Sequence, residues 1–182
     1  VATTDDGLNA AGGVDGSSTN GRPGQNGFEA ATDAYIYING GYLYVNSGGD
    51  GIDSNGSIEM TAGTAIVSGP TNNGNGSLDY NGTFNITGGY LLAVGSSGMV
   101  QAPSETSTIY SVKYGFESMQ AAGTLVHIET ESSEEILTFV ASKEYQSVLL
   151  ASPTLANGSS YVVYTGGTST GTAVDGLYSG GT

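Results

Sequence analysis

Three segments of the chain superpose on one another: Ile36-Tyr37-Ile38-Asn39-Gly40-Gly41-Tyr42-Leu43-Tyr44-Val45, Ile58-Glu59-Met60-Thr61-Ala62-Gly63-Thr64-Ala65-Ile66-Val67 and Phe84-Asn85-Ile86-Thr87-Gly88-Gly89-Tyr90-Leu91-Leu92-Ala93. Each reads as strand, tight glycine turn, strand. Apolar residues alternate with period two, so Ile36/Ile38, Ile58/Met60 and Phe84/Ile86 share one face, and Leu43/Val45, Ala65/Val67 and Leu91/Ala93 another. A third short piece completes the unit, because Gly51-Ile52-Asp53-Ser54-Asn55-Gly56-Ser57 matches Ser77-Leu78-Asp79-Tyr80-Asn81-Gly82-Thr83. The segments recur after 22 and 26 residues, the length of one turn of a three-sided parallel β-helix. A hairpin meander would not return the same apolar position at the same turn residue. The expected fold is therefore all-β, a right-handed parallel β-helix in which Ile36, Ile58 and Phe84 stack about 4.8 Å apart.

The repeat also places the irregular parts. Asp6-Gly7-Leu8-Asn9-Ala10 aligns with Asp50-Gly51-Ile52-Asp53-Ser54, yet Leu8 and Ile52 are 44 residues apart, almost two coils. The excess falls in 12–32, where Gly, Asn, Asp, Ser and Pro carry turn chemistry without periodicity, and 13–32 is expected to be a long loop excursion. Beyond Pro103 the repeat fades. Strand patterns persist at 124–128, 136–140, 147–150 and 161–164, a helical turn is expected within 116–122, and 104–182 reads as a C-terminal β extension or cap on a single domain spanning 1–182.

Composition narrows the function. A formal charge of −14, with three Lys and Arg against 17 Asp and Glu, makes nucleic acid and anionic membranes poor partners. No cysteine is present, so disulfides, zinc thiolates and cysteine nucleophiles are out. No apolar run approaches the roughly 20 residues of a membrane span, and the first residues carry neither a cationic nor an apolar leader, as expected of a mature or trimmed chain. Scarce Lys and Arg beside abundant Ser, Thr, Asn, Gly and Tyr suit a cell-surface protein.

Stacking the coils aligns acidic residues. Asn9, Asp53 and Asp79 share one repeat position, and Asp6 and Asp50 another. Carboxylates about 5 Å apart repel by about 1 kcal/mol in water and more where partly buried, which a bound cation relieves. Oxygen donors without sulfur or histidine, on glycine-rich loops, favour calcium over magnesium. The candidate ligands are Asp5, Asp6, Asn9, Asp33, Asp50, Asp53 and Asp79; the plainer reading is solvated turn aspartates at coil corners.

Tyrosines are the second feature. Tyr35, Tyr37, Tyr42 and Tyr44 alternate with inward apolar residues and should face outwards, with Tyr90 at the coil position of Tyr42. Such a strip can stack on sugar rings, or it can be covered by the 13–32 excursion or by a neighbouring molecule. Catalysis is not expected. His127 lies among apolar strand residues, Arg22, Lys113 and Lys143 are the only cations, and a metal site explains the Asp50–Asp53 pair more simply than a glycosidase pair does.

Asp33-Ala34-Tyr35-Ile36-Tyr37-Ile38-Asn39-Gly40-Gly41, Gly49-Asp50-Gly51-Ile52-Asp53-Ser54-Asn55-Gly56, Gly69-Pro70 and Ile86-Thr87-Gly88-Gly89 resemble the bacterial "carbohydrate-binding domain-containing" β-helix proteins, best known from cellulolytic clostridia. Ser152-Pro153, Tyr161-Val162-Val163-Tyr164-Thr165-Gly166-Gly167 and Asp175-Gly176-Leu177-Tyr178 extend the likeness over nearly the whole chain. The resemblance implies a secreted, surface-associated β-helix holding Ca2+ that binds cellulose and acidic, pectin-like polysaccharide without cleaving it. It implies calcium loops at Asp50-Gly51-Ile52-Asp53-Ser54-Asn55-Gly56 and at Asp5-Asp6-Gly7-Leu8-Asn9. This sequence departs from the family in not containing the coils that usually precede the first Asp-Asp-Gly, as expected either of a trimmed chain or of a working open N-terminal edge. An open β-helix end suggests a second function, a homopolymeric extracellular filament built by head-to-tail stacking.

Overall fold

The computed structural model describes residues 1–11 and 33–181, so the expected 13–32 excursion lies outside the described residues. The described chain is all-β, with no helix among its described residues. The strands are β1 (Ala2–Thr3), β2 (Leu8–Ala10), β3 (Tyr35–Ser47), β4 (Ile52–Ser54), β5 (Ser57–Ser68), β6 (Leu78–Tyr80), β7 (Phe84–Ile86), β8 (Tyr90–Gly95), β9 (Ser111–Gln120), β10 (Leu125–Thr130), β11 (Glu135–Val140), β12 (Tyr145–Ala151), β13 (Tyr161–Thr165), β14 (Thr172–Val174) and β15 (Leu177–Ser179).

The large sheet is mixed, in the order β1-β3-β5-β8-β12-β9, with β7 also on β5. Its first half is parallel and in the register of the repeat: Ile36 pairs with Ile58 and Ile58 with Phe84, while Leu43 pairs with Ala65 and Ala65 with Leu91. The small sheet β2-β4-β6 is also parallel, matching Leu8 to Ile52 to Leu78 and Asn9 to Asp53 to Asp79.

Where a glycine turn between two strands was expected, β3 and β5 run through it without a break. The strand bends instead, with register shifts at Ile38–Asn39 and Asn39–Tyr42. The reason is a glycine column. Gly41 and Gly63 have φ of 77° and 93°, and a Cβ on Gly63 would lie 2.7 Å from the Gly40 carbonyl carbon. Only glycine both adopts that conformation and lets successive rungs approach so closely. The third segment does split, into β7 and β8.

The helical turn expected within 116–122 is instead the end of β9, which pairs antiparallel with β12. Good helix formers there are overridden by edge pairing and by Phe116, which packs edge-on against Tyr145 at 5.6 Å. The expected 104–182 extension is divided: β9 and β12 join the large sheet, while the other five strands form a second sheet, β13-β10-β11-β15-β14, wholly antiparallel.

Two cores result. Val45, Ile52, Ile58, Met60, Leu78, Phe84, Leu91 and Ala93 pack in one, and Ile66, Leu92, Val94, Val126, Leu137, Phe139, Val148 and Leu150 in the other. Strand β8 feeds both, since alternate side chains point to opposite faces: Leu91 and Ala93 to the first, Leu92 and Val94 to the second. Burial on both faces explains why its sequence is a continuous apolar run. The loop after β11 locks the halves together, with Lys143 Nζ donating to the carbonyls of Ser47 (2.6 Å) and Ser68 (3.0 Å) at the ends of β3 and β5.

Candidate functional site

Two groups of predicted residues come together. The first is acidic. The registers of β2, β4 and β6 put Asn9, Asp53 and Asp79 in one row. Asp6 and Asp50 occupy equivalent places three residues before Asn9 and Asp53: Asp6 Oδ1 accepts the Asp50 backbone N–H at 2.8 Å, and Asp50 Oδ1 accepts that of Gly76 at 2.6 Å. The next rung has glycine instead of a carboxylate there. Asp6, Asp50 and Asp53 each bring one carboxylate oxygen within 4.8 Å of the others. Asn9 Nδ2 bridges Asp6 Oδ2 (3.0 Å) and Asp53 Oδ2 (2.8 Å).

Burial and repulsion act together on these carboxyls. Desolvation, then the neighbouring Asp79, Asp6 and Asp50, push Asp53 up to about 7. Desolvation raises Asp50 to about 6, against the lowering effect of the Gly76 N–H, with Asp79, Asp6 and Asp5 adding to the rise. Asp79 is raised too, mainly by burial and by Asp6. Three converging carboxylate oxygens suit a hard cation. Asp5 and Asp33 are exposed and stand outside the trio, as does Asp79, which lies one rung beyond Asp53.

The second group is aromatic. Tyr35 and Tyr37 project from the same face of β3, their rings stacked 5.6 Å apart and 12° from parallel, with 47% and 62% of their surface exposed. Beside them the parallel register lays out polar rows. Tyr35 pairs with Ser57, and Tyr37 with Glu59 and then Asn85. Asn85 Nδ2 donates to Glu59 Oε1 at 3.2 Å, and Thr106 donates to Asn85 Oδ1. One row further, Thr61 donates to Asn39 Oδ1 at 2.9 Å. The polar side chains are thus tied to one another and held flat beside the two rings.

The other tyrosines depart from the expected strip. Tyr44 and Tyr90 pack against the second core, because the face on which they project is covered by the antiparallel sheet. Burial pushes the Tyr90 hydroxyl above the ordinary tyrosine range. Tyr42 is half exposed, but its hydroxyl donates to Asp175 Oδ2 at 2.8 Å, and burial followed by that hydrogen bond raises it to about 12. The platform is the Tyr35–Tyr37 pair alone.

Sequence reasoning overlooked the part that the rungs beside the tyrosines play. Glu59 and Asn85 follow from the 22- and 26-residue repeat together with Tyr37, so their signal was present in the register, whereas Thr106 lies in a turn beyond the repeat. No family model, curated protein or solved structure matches this chain.

Proposed function

We propose that the chain is an extracellular, calcium-stabilised polysaccharide-binding protein of the cell surface, built on a short right-handed parallel β-helix, which holds its ligand without cleaving it. The observation that carries this reading is the stacked, exposed Tyr35–Tyr37 pair beside the rigid row Glu59, Asn85 and Thr106. Sugar rings present an apolar C–H face and a rim of hydroxyls. Flat aromatic rings take the first, and amide, hydroxyl and carboxylate groups fixed on a sheet take the second. The in-register parallel ladders support the β-helix.

The trio Asp6, Asp50 and Asp53 would hold the cation. Its oxygen-only donors and glycine-rich backbone suit Ca2+, which would relieve the repulsion that raises Asp50 and Asp53. Calcium also gives an anionic surface a way to hold an anionic, pectin-like chain, by bridging carboxylates. Cellulose, which is neutral, needs no such bridge.

The test is co-sedimentation of the chain with crystalline cellulose and with calcium-gelled polygalacturonate. Binding that is lost in Tyr37→Ala with the fold intact supports the platform; undiminished binding by that variant rules it out.

A second reading, a filament subunit, is favoured by one observation. Among the described residues the outer edge of β3 is paired by β1 at Asn46 and Ser47 and by the Val1 amine at the Tyr44 carbonyl. The remaining edge offers backbone donors and acceptors to a strand of another copy. Electron microscopy of the purified chain with calcium and no glycan separates the two, since regular fibres require the filament.

A further inference from the structure

The antiparallel sheet carries a cavity of about 390 Å³ on its face away from the second core, lined by His127, Glu129, Glu135 and Thr138 and walled on one side by Gly166 and Gly167. It is made by the strand pattern. Val126 and Ile128 of β10 point into the second core, so His127 and Glu129 point the other way. In β11 a register shift after Ile128 sets Glu135 directly opposite Glu129. Such a bulge re-aims side chains, and like charges opposite one another across two strands are unfavourable.

The His127 imidazole lies between the two carboxylates. Among the described residues the only ion-pair contacts of the two carboxylates are with His127, at 3.3 Å from Glu129 and 3.9 Å from Glu135. The remaining bonds come from neutral donors. Thr138 donates to Glu135 Oε2 at 2.6 Å and lies 2.7 Å from His127 Nδ1, and Tyr164 bonds to Glu129, which raises its hydroxyl pKa. The Tyr164 ring flanks His127, with centroids 6.2 Å apart, and is half exposed.

The rim is shaped as well. Gly166 and Gly167 lie at φ of 85° and 78°, so that side presents bare backbone, and Ser133 lies in the left-handed region at φ 63° although it is not glycine. Hydroxyls of Ser133, Thr168 and Ser169 complete the lining.

We propose that this cavity is a second binding site, separate from the tyrosine platform, and that it takes an amino sugar: a ring bearing an ammonium group and free hydroxyls. The ammonium would lie on the cavity side of the His127 ring, in reach of both Glu129 and Glu135, and neutralise their opposed charges, the hydroxyls would meet the serine and threonine hydroxyls and the bare glycine backbone, and a face of the ring would lie beside Tyr164. A uronate is repelled by the same carboxylates. A neutral sugar lacks the charge that the site is built to receive, and a cavity of this size is wider than a lone alkylammonium needs.

His127 is the only histidine, so its ring signals in a ¹H–¹³C NMR spectrum report on this cavity alone. The 182-residue chain is titrated, at fixed pH and ionic strength, with the glucosamine disaccharide, its N-acetylated form, cellobiose and an Nα-blocked lysine amide. The expected result is a saturable His127 shift with the glucosamine disaccharide and at least about tenfold weaker binding of the other three. A Glu129→Gln/Glu135→Gln double variant that keeps its circular dichroism should lose about tenfold or more in affinity, roughly the loss of one charge-assisted contact. Tyr37→Ala should leave the titration unchanged, so failure of the platform does not decide this experiment. Absence of a shift, equal binding of the acetylated or neutral sugar, or equal binding of the lysine amide each overturns the proposal.

Discussion

The side-chain amide of Asn9 lies 2.8 Å from a carboxylate oxygen of Asp53, and the two residues, 44 apart in sequence, occupy the same position on neighbouring rungs. With Asp6 on the same amide and the Asp50 backbone N–H on Asp6, three partly buried carboxylates converge within 4.8 Å.

The stability of the metal-free protein should therefore depend on pH in an unusual direction. A carboxyl with a higher pKa in the fold than in the unfolded chain takes up a proton on folding, so its stabilising effect is complete below the unfolded value of 3.8 and is lost as pH rises through the folded one. With Asp50 at about 6 and Asp53 at about 7, stability in EDTA should fall between pH 4 and pH 7. Both groups are about half exposed, so after solvent screening the whole effect should be about 1–3 kcal/mol. Calcium should abolish most of the fall. Thermal melts across that range, with EDTA and with calcium, would refute the assignment if the two curves coincide.

Asp53→Asn separates repulsion from metal binding. Without calcium the variant should be more stable than the parent at pH 7.5 by about 1 kcal/mol, because one of the opposed charges is gone. It should also lose most of the calcium-dependent rise in melting temperature. A variant that keeps the full rise would show that the cation sits elsewhere.

Tyr37→Ala and Tyr90→Ala should give opposite phenotypes. The exposed Tyr37 should cost little stability but weaken polysaccharide binding about tenfold, about 1.4 kcal/mol. Tyr90, packed against the second core, should lower stability by about 2–4 kcal/mol and leave binding intact in the folded fraction. Denaturant unfolding and co-sedimentation on the same samples measure both.

Polygalacturonate and cellulose should differ in their need for calcium. If the anionic polymer is held through a bridging cation, EDTA should release it and leave cellulose bound. Release of both, or of neither, would separate the metal from recognition of the acidic glycan.

Gly51→Ala tests how tightly the rungs stack. A Cβ there would meet the Ser77 carbonyl oxygen and a Val67 methyl, with no room on either side. The backbone would have to move, costing about 2–3 kcal/mol by denaturant unfolding. A loss below about 0.5 kcal/mol would mean that the rungs are further apart than described.

The periodic half of the fold was legible because each rung repeats the one before it. Leu8, Ile52 and Leu78, and Ile36, Ile58 and Phe84, stand in the registers their sequence alignment implies, and that alignment also brought the aspartates together. What failed depended on partners distant in sequence. Tyr44 and Tyr90 were expected to be exposed from their alternation alone, but alternation cannot show that a second sheet from residues 125–179 covers them. Gly40-Gly41 was expected to form a turn, since two glycines signal a corner as readily as a bend. The difference is set by the glycine in the next rung. The residues of 116–122 have helical propensity, which a hydrogen-bonding edge at β12 outweighs.

The mixed character of the large sheet bears on how the chain is made. Ile36, Ile58 and Phe84 are 22 and 26 residues apart, so each parallel rung can add to the last as the nascent chain emerges N-terminus first. Strand β8 has a different fate. Its other edge waits for β12, whose Val148 pairs with Val94 only after 54 further residues have been synthesised. During that interval an apolar strand destined for burial on both faces stands at an open sheet edge, so the critical moment for aggregation comes while residues 96–144 are still being translated.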